Sequence, residues 1–313
     1  MTSVAVLVPT WRRPEDLARC LHTLRVQERK PDRVLVVRRA DDEATSRVLA
    51  AQSGLRLEEV LVREPGQVAA LNAGLDAVVE DLVAITDDDA APRPDWLERI
   101  VGWFARDVRL GALGGRDFVY HGRELQDGAE RQVGRVAWYG RFLSFHHLGT
   151  GPAREVDFLK GANMSFRREA IASLRFDRAL RGKGAEYLND WGFTLAVKRA
   201  GWKVVYDPAV AIDHYEGGRA SGAGRSADDR SAALPRAYNE TYIAVRYLPP
   251  VRALAHVLFV LAVGTSVAPA PGLALRRIGA LGGPRAAAAE VAGTLRARMG
   301  GARAGLRARM SGS

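Results

Sequence analysis

The chain has a single cysteine, Cys20, in 313 residues, which excludes an intramolecular disulfide framework and fits a reducing compartment. Cys20 falls in an amphipathic stretch over residues 14–24, where a thiol packs as a small apolar group. No basic segment followed by an apolar core precedes the first strand-like run, so no secretory signal is expected. Glycine is missing from Pro9-Thr10-Trp11-Arg12-Arg13, which follows that run. A dinucleotide-binding oxidoreductase needs G-x-G-x-x-G there, and a nucleotide-sugar pyrophosphorylase needs a glycine-rich phosphate loop, so both classes are excluded. Acids are nearly absent from the C-terminal fifth: residues 251–313 hold nine arginines against one acid, Glu290, and so carry eight of the chain's ten net positive charges. Positive charge confined to one end beside apolar sequence points to an anionic membrane surface at least as readily as to nucleic acid.

What is present begins with an apolar content of 47%, enough for one large domain and an appendage. Strand-like and helix-like patterns alternate: strands at 4–8, 33–37, 58–62 and 82–86, helices at 14–27, 42–53 and 67–79. That alternation predicts an α/β fold with a mainly parallel sheet flanked by helices. A helix at 95–104 and a strand at 111–120 follow. Residues 122–152 read as loops over the sheet, where an acceptor pocket could form. Helix patterns recur at 168–174 and 187–200, and a strand at 203–206; the Gly/Ser/Arg/Asp-rich stretch 217–232 is expected to be mobile. Residues 253–275 carry no charged side chain apart from His256 and reach the length of a bilayer span. Pro269, Pro271 and the small residues from Gly264 onward weaken a continuous helix, which favours a shorter one on or dipping into the membrane. An apolar helix packed on the main domain is the alternative. The last thirty residues are expected to be helical on a surface or disordered.

The run Val83-Ala84-Ile85-Thr86-Asp87-Asp88-Asp89 carries the most chemistry. A buried strand that ends in three carboxylates is costly unless a cation compensates them. Mg²⁺ or Mn²⁺ is held by a few carboxylates together with diphosphate oxygens, and ligands of open α/β sheets bind at the carboxyl ends of strands. A solvated acidic turn is the plain alternative.

Four motifs occur around the triplet in order: Val8-Pro9-Thr10-Trp11-Arg12-Arg13-Pro14, Ala69-Ala70-Leu71-Asn72-Ala73-Gly74-Leu75, Lys160-Gly161-Ala162-Asn163-Met164-Ser165-Phe166-Arg167 and Asn189-Asp190. Together with the triplet they resemble family 2 glycosyltransferases of the GT-A fold, over residues 4–214. The resemblance implies a GT-A catalytic domain over 1–247 and a helical, membrane-associating tail over 248–313. It places Asp87 at the nucleotide ribose and the metal, Asp89 on the metal, and Thr86 and Asp88 beside the nucleotide sugar in support. It gives Pro9, Thr10 and Arg12 to the base and ribose, and Asn72 and Asn163 to the nucleotide-sugar pocket. Many relatives have an acid directly after the second strand; here Arg38-Arg39-Ala40 intervene, and Asp41 is the better match. The general base corresponds to Asp190, although the acid that usually precedes it is Asn189; Glu186 is the fallback. Trp191 is expected to wall the acceptor site and His214 to complete the metal site. Each has a structural alternative: surface charge for Arg12, a turn for Asn163, a helix N-cap for Asp190, core packing for Trp191 and a strand-end polar residue for His214.

The expected activity is metal-dependent, inverting transfer of a sugar from a UDP- or dTDP-sugar to a hydroxyl of a cell-surface glycan or lipid-linked acceptor. A processive synthase usually carries Gln-x-x-Arg-Trp and several spanning helices, neither of which is present, so one sugar per event is expected. A soluble natural-product acceptor is the alternative. A nucleic-acid-binding protein is the rival from another class, and it is opposed by the acidic core. The expected location is cytoplasmic, peripheral on the inner face of the cell membrane.

Overall fold

The computed structural model describes residues 2–182, 184–216, 230–276, 279–281 and 283–311. The chain divides into two compact units, one built from Met1–Arg135, Ser144–Arg178 and Phe193–Gly222, the other from Val136–Leu143, Ala179–Gly192 and Ala223–Ser313. These units interleave along the chain, whereas the expected boundary at 247 marks a change of composition.

The first unit opens with β1 (Val4–Pro9), α1 (Pro14–Arg25), β2 (Arg33–Arg39), α2 (Glu43–Ala50), β3 (Leu57–Val62), α3 (Gln67–Ala77) and β4 (Leu82–Ile85). A three-residue strand β5 (Ala90–Pro92), α4 (Trp96–Arg106), β6 (Leu110–His121) and β7 (Glu124–Leu125) follow. In chain order come next a ribbon of β8 (Arg135–Val136) and β9 (Phe142–Leu143), which from Val136 on belongs to the second unit, then β10 (Arg154–Glu155), β11 (Met164–Arg167), α5 (Asn189–Arg199), whose first four residues also belong to the second unit, and β12 (Lys203–Glu216). The main sheet runs β10-β12-β6-β11-β4-β1-β2-β3. β3, β2, β1 and β4 are parallel, β11 is antiparallel to both neighbours, and β12 is parallel to β6.

Alternation along the strands produces two cores. Val4, Val6 and Val8 of β1 pack on one face with Leu17, Cys20, Leu21 and Leu24 of α1 and with Trp96, Leu97 and Ile100 of α4. Ala5 and Leu7 point to the other face, against Val68, Leu71 and Leu75 of α3. Gly74 lets α3 approach the sheet, because a Cβ there would lie 2.2 Å from Leu7 Cδ1. The mixed, mainly parallel sheet and its flanking helices agree with the fold expected from the sequence.

Several elements differ from their expected extents. β12 continues through Pro208 to Glu216 rather than stopping at Tyr206, with a shift of register between Asp207 and Ala211 that accommodates the proline. Residues 168–174 form only a 3₁₀ turn, Glu169–Ile171. The stretch expected to be mobile, 217–232, lies outside the described residues except for its last three.

The second unit contains α6 (Arg230–Tyr247), α7 (Pro250–Ala262), α8 (Pro271–Arg276) and α9 (Pro284–Met310). The apolar segment 253–275 is therefore two helices and not one. Gly264 adopts φ +83° and Thr265 N donates to Ala268 O at 3.0 Å, so a tight turn ends α7 before the two prolines. Among the described residues no helix is long and apolar enough to cross a membrane. The final arginine-rich segment is one helix of 27 residues packed on α6.

Candidate metal and nucleotide-sugar site

β1 and β4 are hydrogen-bonded parallel neighbours, and the chain leaves them in opposite directions along the sheet, β1 toward β2 and β4 toward β11. A crevice opens at the carboxyl ends of strands at such a switch point. Thr10 after β1 and Asp87, Asp88 and Asp89 after β4 lie there by construction. Thr10 N donates to Val37 O at 2.9 Å, and Thr10 Oγ1 donates to Asp88 Oδ2 at 2.7 Å. Arg13 Nη1 reaches Asp88 Oδ1 at 2.9 Å and Asp89 Oδ2 at 2.8 Å.

β5 follows the triplet at once and pairs antiparallel with β12, placing Ala90 opposite His214. His214 Nε2 consequently lies 3.1 Å from Asp89 Oδ1, and Tyr215 N donates to Asp89 O at 2.9 Å. Asp87, Asp89 and His214 each offer one ligand atom within 4.8 Å of the others, a group that could hold a metal ion. His214 Nδ1 is buried without a hydrogen-bond partner. Two carboxylate oxygens and an imidazole nitrogen form a donor set that accepts Mn²⁺ more readily than Mg²⁺. Three carboxylates against one guanidinium leave a formal double negative charge, the complement of a divalent cation.

The electrostatics follow from burial and pairing. Burial pushes the Asp88 carboxyl up, and Arg13 and Thr10 offset this only in part. Burial pushes Asp89 the same way, but His214 and Arg13 outweigh it and hold its carboxyl well below the usual range. For His214, burial opposes the charged ring and Asp89 overcomes it, so the imidazole lies above its ordinary value. Asp88 is thus the scaffold carboxylate, turned onto Thr10 and Arg13, while Asp87 and Asp89 face the candidate metal position with His214.

Other sequence-predicted residues occupy different places. Pro9 closes β1, in register with Val37. Arg12 is exposed and pairs with Asp41 at 3.8 Å on the rim, where Asp41 also accepts from Arg39 at 3.1 Å. Asn72 spends its amide on the Phe176 backbone, accepting from N at 2.7 Å and donating to O at 2.9 Å. Asn163 donates to Val210 O at 2.8 Å and accepts from Trp96 Nε1 at 2.9 Å. Both amides are buried and hold the scaffold. Asp190, Glu186 and Trp191 belong to the second unit. Asp190 lies in the first turn of α5, partly exposed, and its Oδ1 accepts from Trp191 N at 3.0 Å. Trp191 stacks on Phe142 with ring centroids 5.1 Å apart.

Sequence reasoning missed three features. Arg13 is a counter-ion of the triplet. Trp11 is half-exposed beside Pro9 and Thr10, with the guanidinium groups of Arg12 and Arg39 over its ring at 5.1 and 5.5 Å. Lys160 Nζ donates at 2.9 Å to Oδ2 of Asp117, a fully buried carboxylate on β6. Arg12, Ala162 and Leu188 adopt φ of +55°, +79° and +65°, a conformation that side chains other than glycine rarely take. Each costs about 1–3 kcal/mol, and each immediately precedes a predicted site residue or its neighbour.

A mixed α/β sheet with an acidic, histidine-completed cluster at its switch point defines the nucleotide-diphospho-sugar transferases of the GT-A fold. Residues 2–230 match the family described as glycosyltransferase like family 2, and the chain belongs to it. It is accordingly a glycosyltransferase. Among solved structures it is similar to the mannosyltransferase PcManGT of Pyrobaculum calidifontis, in complex with GDP-Man and Mn²⁺, at 22% identity over 98% of this chain and 86% of that one, with a TM-score of 0.58. It is also similar to TarS 1–349 of S. aureus in complex with UDP-GlcNAc, at 16% identity over 100% of this chain and 93% of that one, TM-score 0.59. GalNAc-T7 with UDP, GalNAc and Mn²⁺ matches at 14% identity over 80% of this chain and 49% of that one, TM-score 0.61. No curated protein sequence matches the chain.

Proposed function

We propose that this glycosyltransferase moves one sugar at a time, with inversion, from a UDP- or dTDP-sugar to a hydroxyl of a cell-surface glycan or lipid-linked acceptor, and that it uses Mn²⁺ or Mg²⁺. The observation that carries the metal-dependent donor site is the Asp87, Asp89 and His214 group at the switch point. The Mn²⁺ in the mannosyltransferase and GalNAc-T7 structures, and the UDP-GlcNAc of TarS, support the same chemistry here.

A divalent cation bound there would neutralise the diphosphate as it departs. The protein's own residues do the remainder. Arg13 and Thr10 anchor Asp88, which ties the turn carrying Asp87 and Asp89 to the end of β1. Trp11 offers an aromatic face to the base, with Asp41 at the base and Arg12 at the base and ribose. Asp190 takes the proton of the acceptor hydroxyl as that oxygen bonds to the anomeric carbon and the bond to the diphosphate breaks. Attack opposite the leaving group inverts the anomeric configuration.

Slow hydrolysis of UDP-, dTDP- and GDP-sugars with and without EDTA, combined with calorimetric Mn²⁺ titration, tests this reading. Asp89→Asn and His214→Ala are expected to weaken Mn²⁺ binding by at least about tenfold. Asp190→Asn is expected to lower transfer on the order of a hundredfold or more while donor binding holds. Turnover undiminished by EDTA would remove the metal from the mechanism. Unchanged turnover in Asp190→Asn would move the base, first to Glu186.

A further inference from the structure

We infer that the second unit carries a membrane-docking face, formed by the outward side of α7 and the exposed tip of the Val136–Leu143 hairpin, that lies in the headgroup layer of an anionic bilayer. The inference stands on this unit alone and does not depend on the transferase reading.

α7 buries Ala253, His256 and Val260 and exposes Val251 (81%), Leu254 (61%) and Leu258 (60%). Spacings of three and four residues put each set on its own side of the helix. The outward side of a water-facing helix carries polar residues, but here residues 253–263 include no acidic or basic side chain apart from His256, which is buried.

The hairpin is fixed to the same helix. Gly140, at φ +85°, accepts from His256 Nδ1 at 2.8 Å, and a Cβ at Gly140 would lie 2.4 Å from His256 Cβ. Tyr139 stands edge-on to Phe259 with centroids 5.1 Å apart. The neighbouring Trp138 is 80% exposed, although a large aromatic ring loses the most by facing water. An exposed tryptophan and exposed leucines in the same unit are the composition of a membrane interface.

Charge selects the occupant. Arg252, Arg276, Arg285, Arg296, Arg303 and Arg307 are exposed, and Glu290 is the only acid between residues 251 and 311. The outer side of α9 intersperses its arginines with exposed Met299, Leu306 and Met310. Apolar residues flanked by arginines fit anionic lipid: the arginines meet the headgroups and the leucines enter the acyl boundary. A second copy of the chain would bring like charges together, and a nucleic acid would leave the apolar stripe in water. At 13 residues α7 is too short to span, so it lies along the surface.

The test is co-sedimentation of the full-length protein with phosphatidylcholine vesicles, with and without phosphatidylglycerol. Binding is expected to need phosphatidylglycerol and to fall on the order of tenfold in high salt. Leu254→Asp with Leu258→Asp should abolish it; both side chains already face solvent, and circular dichroism checks the fold. The milder serine pair should weaken it. Lipid brominated in its acyl chains should quench tryptophan fluorescence, and Trp138→Phe should lose most of that quenching. Failure of the wild type to bind phosphatidylglycerol vesicles would overturn the inference, as would equal binding by the aspartate pair. So would a wild-type dimer in the ultracentrifuge that the aspartate pair makes monomeric. Donor hydrolysis by the same samples reads the transferase assignment separately, because none of these residues belongs to its site.

Discussion

Arg33 at the start of β2 places Nε and Nη2 on the two oxygens of Glu80, each at 2.8 Å, and both side chains are 8% exposed. Removing one member of such a pair leaves the other buried without compensation, so Glu80→Gln is expected to cost about 3 kcal/mol in urea denaturation. Burial raises the Glu80 carboxyl, but Arg33 outweighs that and holds it below its ordinary 4.5. A depressed folded value means the contribution is complete above pH 4.5 and fades as pH falls through the folded value, so the gap between wild type and variant should close in acid. At this scale the sequence brought out the three residues of the candidate metal group, because Asp87, Asp89 and His214 are defined by type and motif position. It did not distinguish Arg13 from Arg12. The left-handed backbone of Arg12 turns its own side chain to the rim and its successor onto the carboxylates, and no residue pattern announces that turn.

Between α6 and α9 the contact is made by backbone. A Cβ on Gly301 would lie 2.3 Å from Tyr238 O, and one on Gly305 would lie 2.6 Å from Tyr242 O. Buried residues on α9 fall at Ala287, Thr294, Arg298, Gly301 and Gly305, at successive spacings of seven, four, three and four. Because most are small, hydrophobic periodicity does not register them, which is why the tail read as a surface helix or a disordered one. Arg298 is fully buried in this seam and pairs with Glu240 at 3.1 Å. Gly301→Val should force the helices apart and destabilise the protein by about 1–3 kcal/mol, seen as a lower thermal midpoint, whereas the same change at exposed Gly279 should be nearly silent. Strands β1, β2 and β4 were legible for the opposite reason: each is a short continuous apolar run, buried along nearly its whole length.

For the molecule as a whole, the change of composition at residue 247 is not a seam of packing. α6 belongs with α7 and α9, and it buries Ala237, Thr241, Tyr242, Ile243 and Ala244. A protein ending at residue 247 would expose part of that surface, so it is expected to aggregate or melt several degrees lower than the full chain in light-scattering and calorimetric measurements. The second unit draws on three separated segments, an arrangement set by long-range contacts that local patterning does not encode.

The pairing of β5 with β12 brings together ligands 125 positions apart, Asp89 and His214. Their meeting depends on one hydrogen-bonded register, and a slip of a single residue would turn His214 to the opposite face of the sheet. The candidate cation site is therefore a late-arriving property of the polypeptide. A nascent chain that has made every strand but the last holds the two acids without the histidine, so only the finished sheet presents all three candidate ligands together.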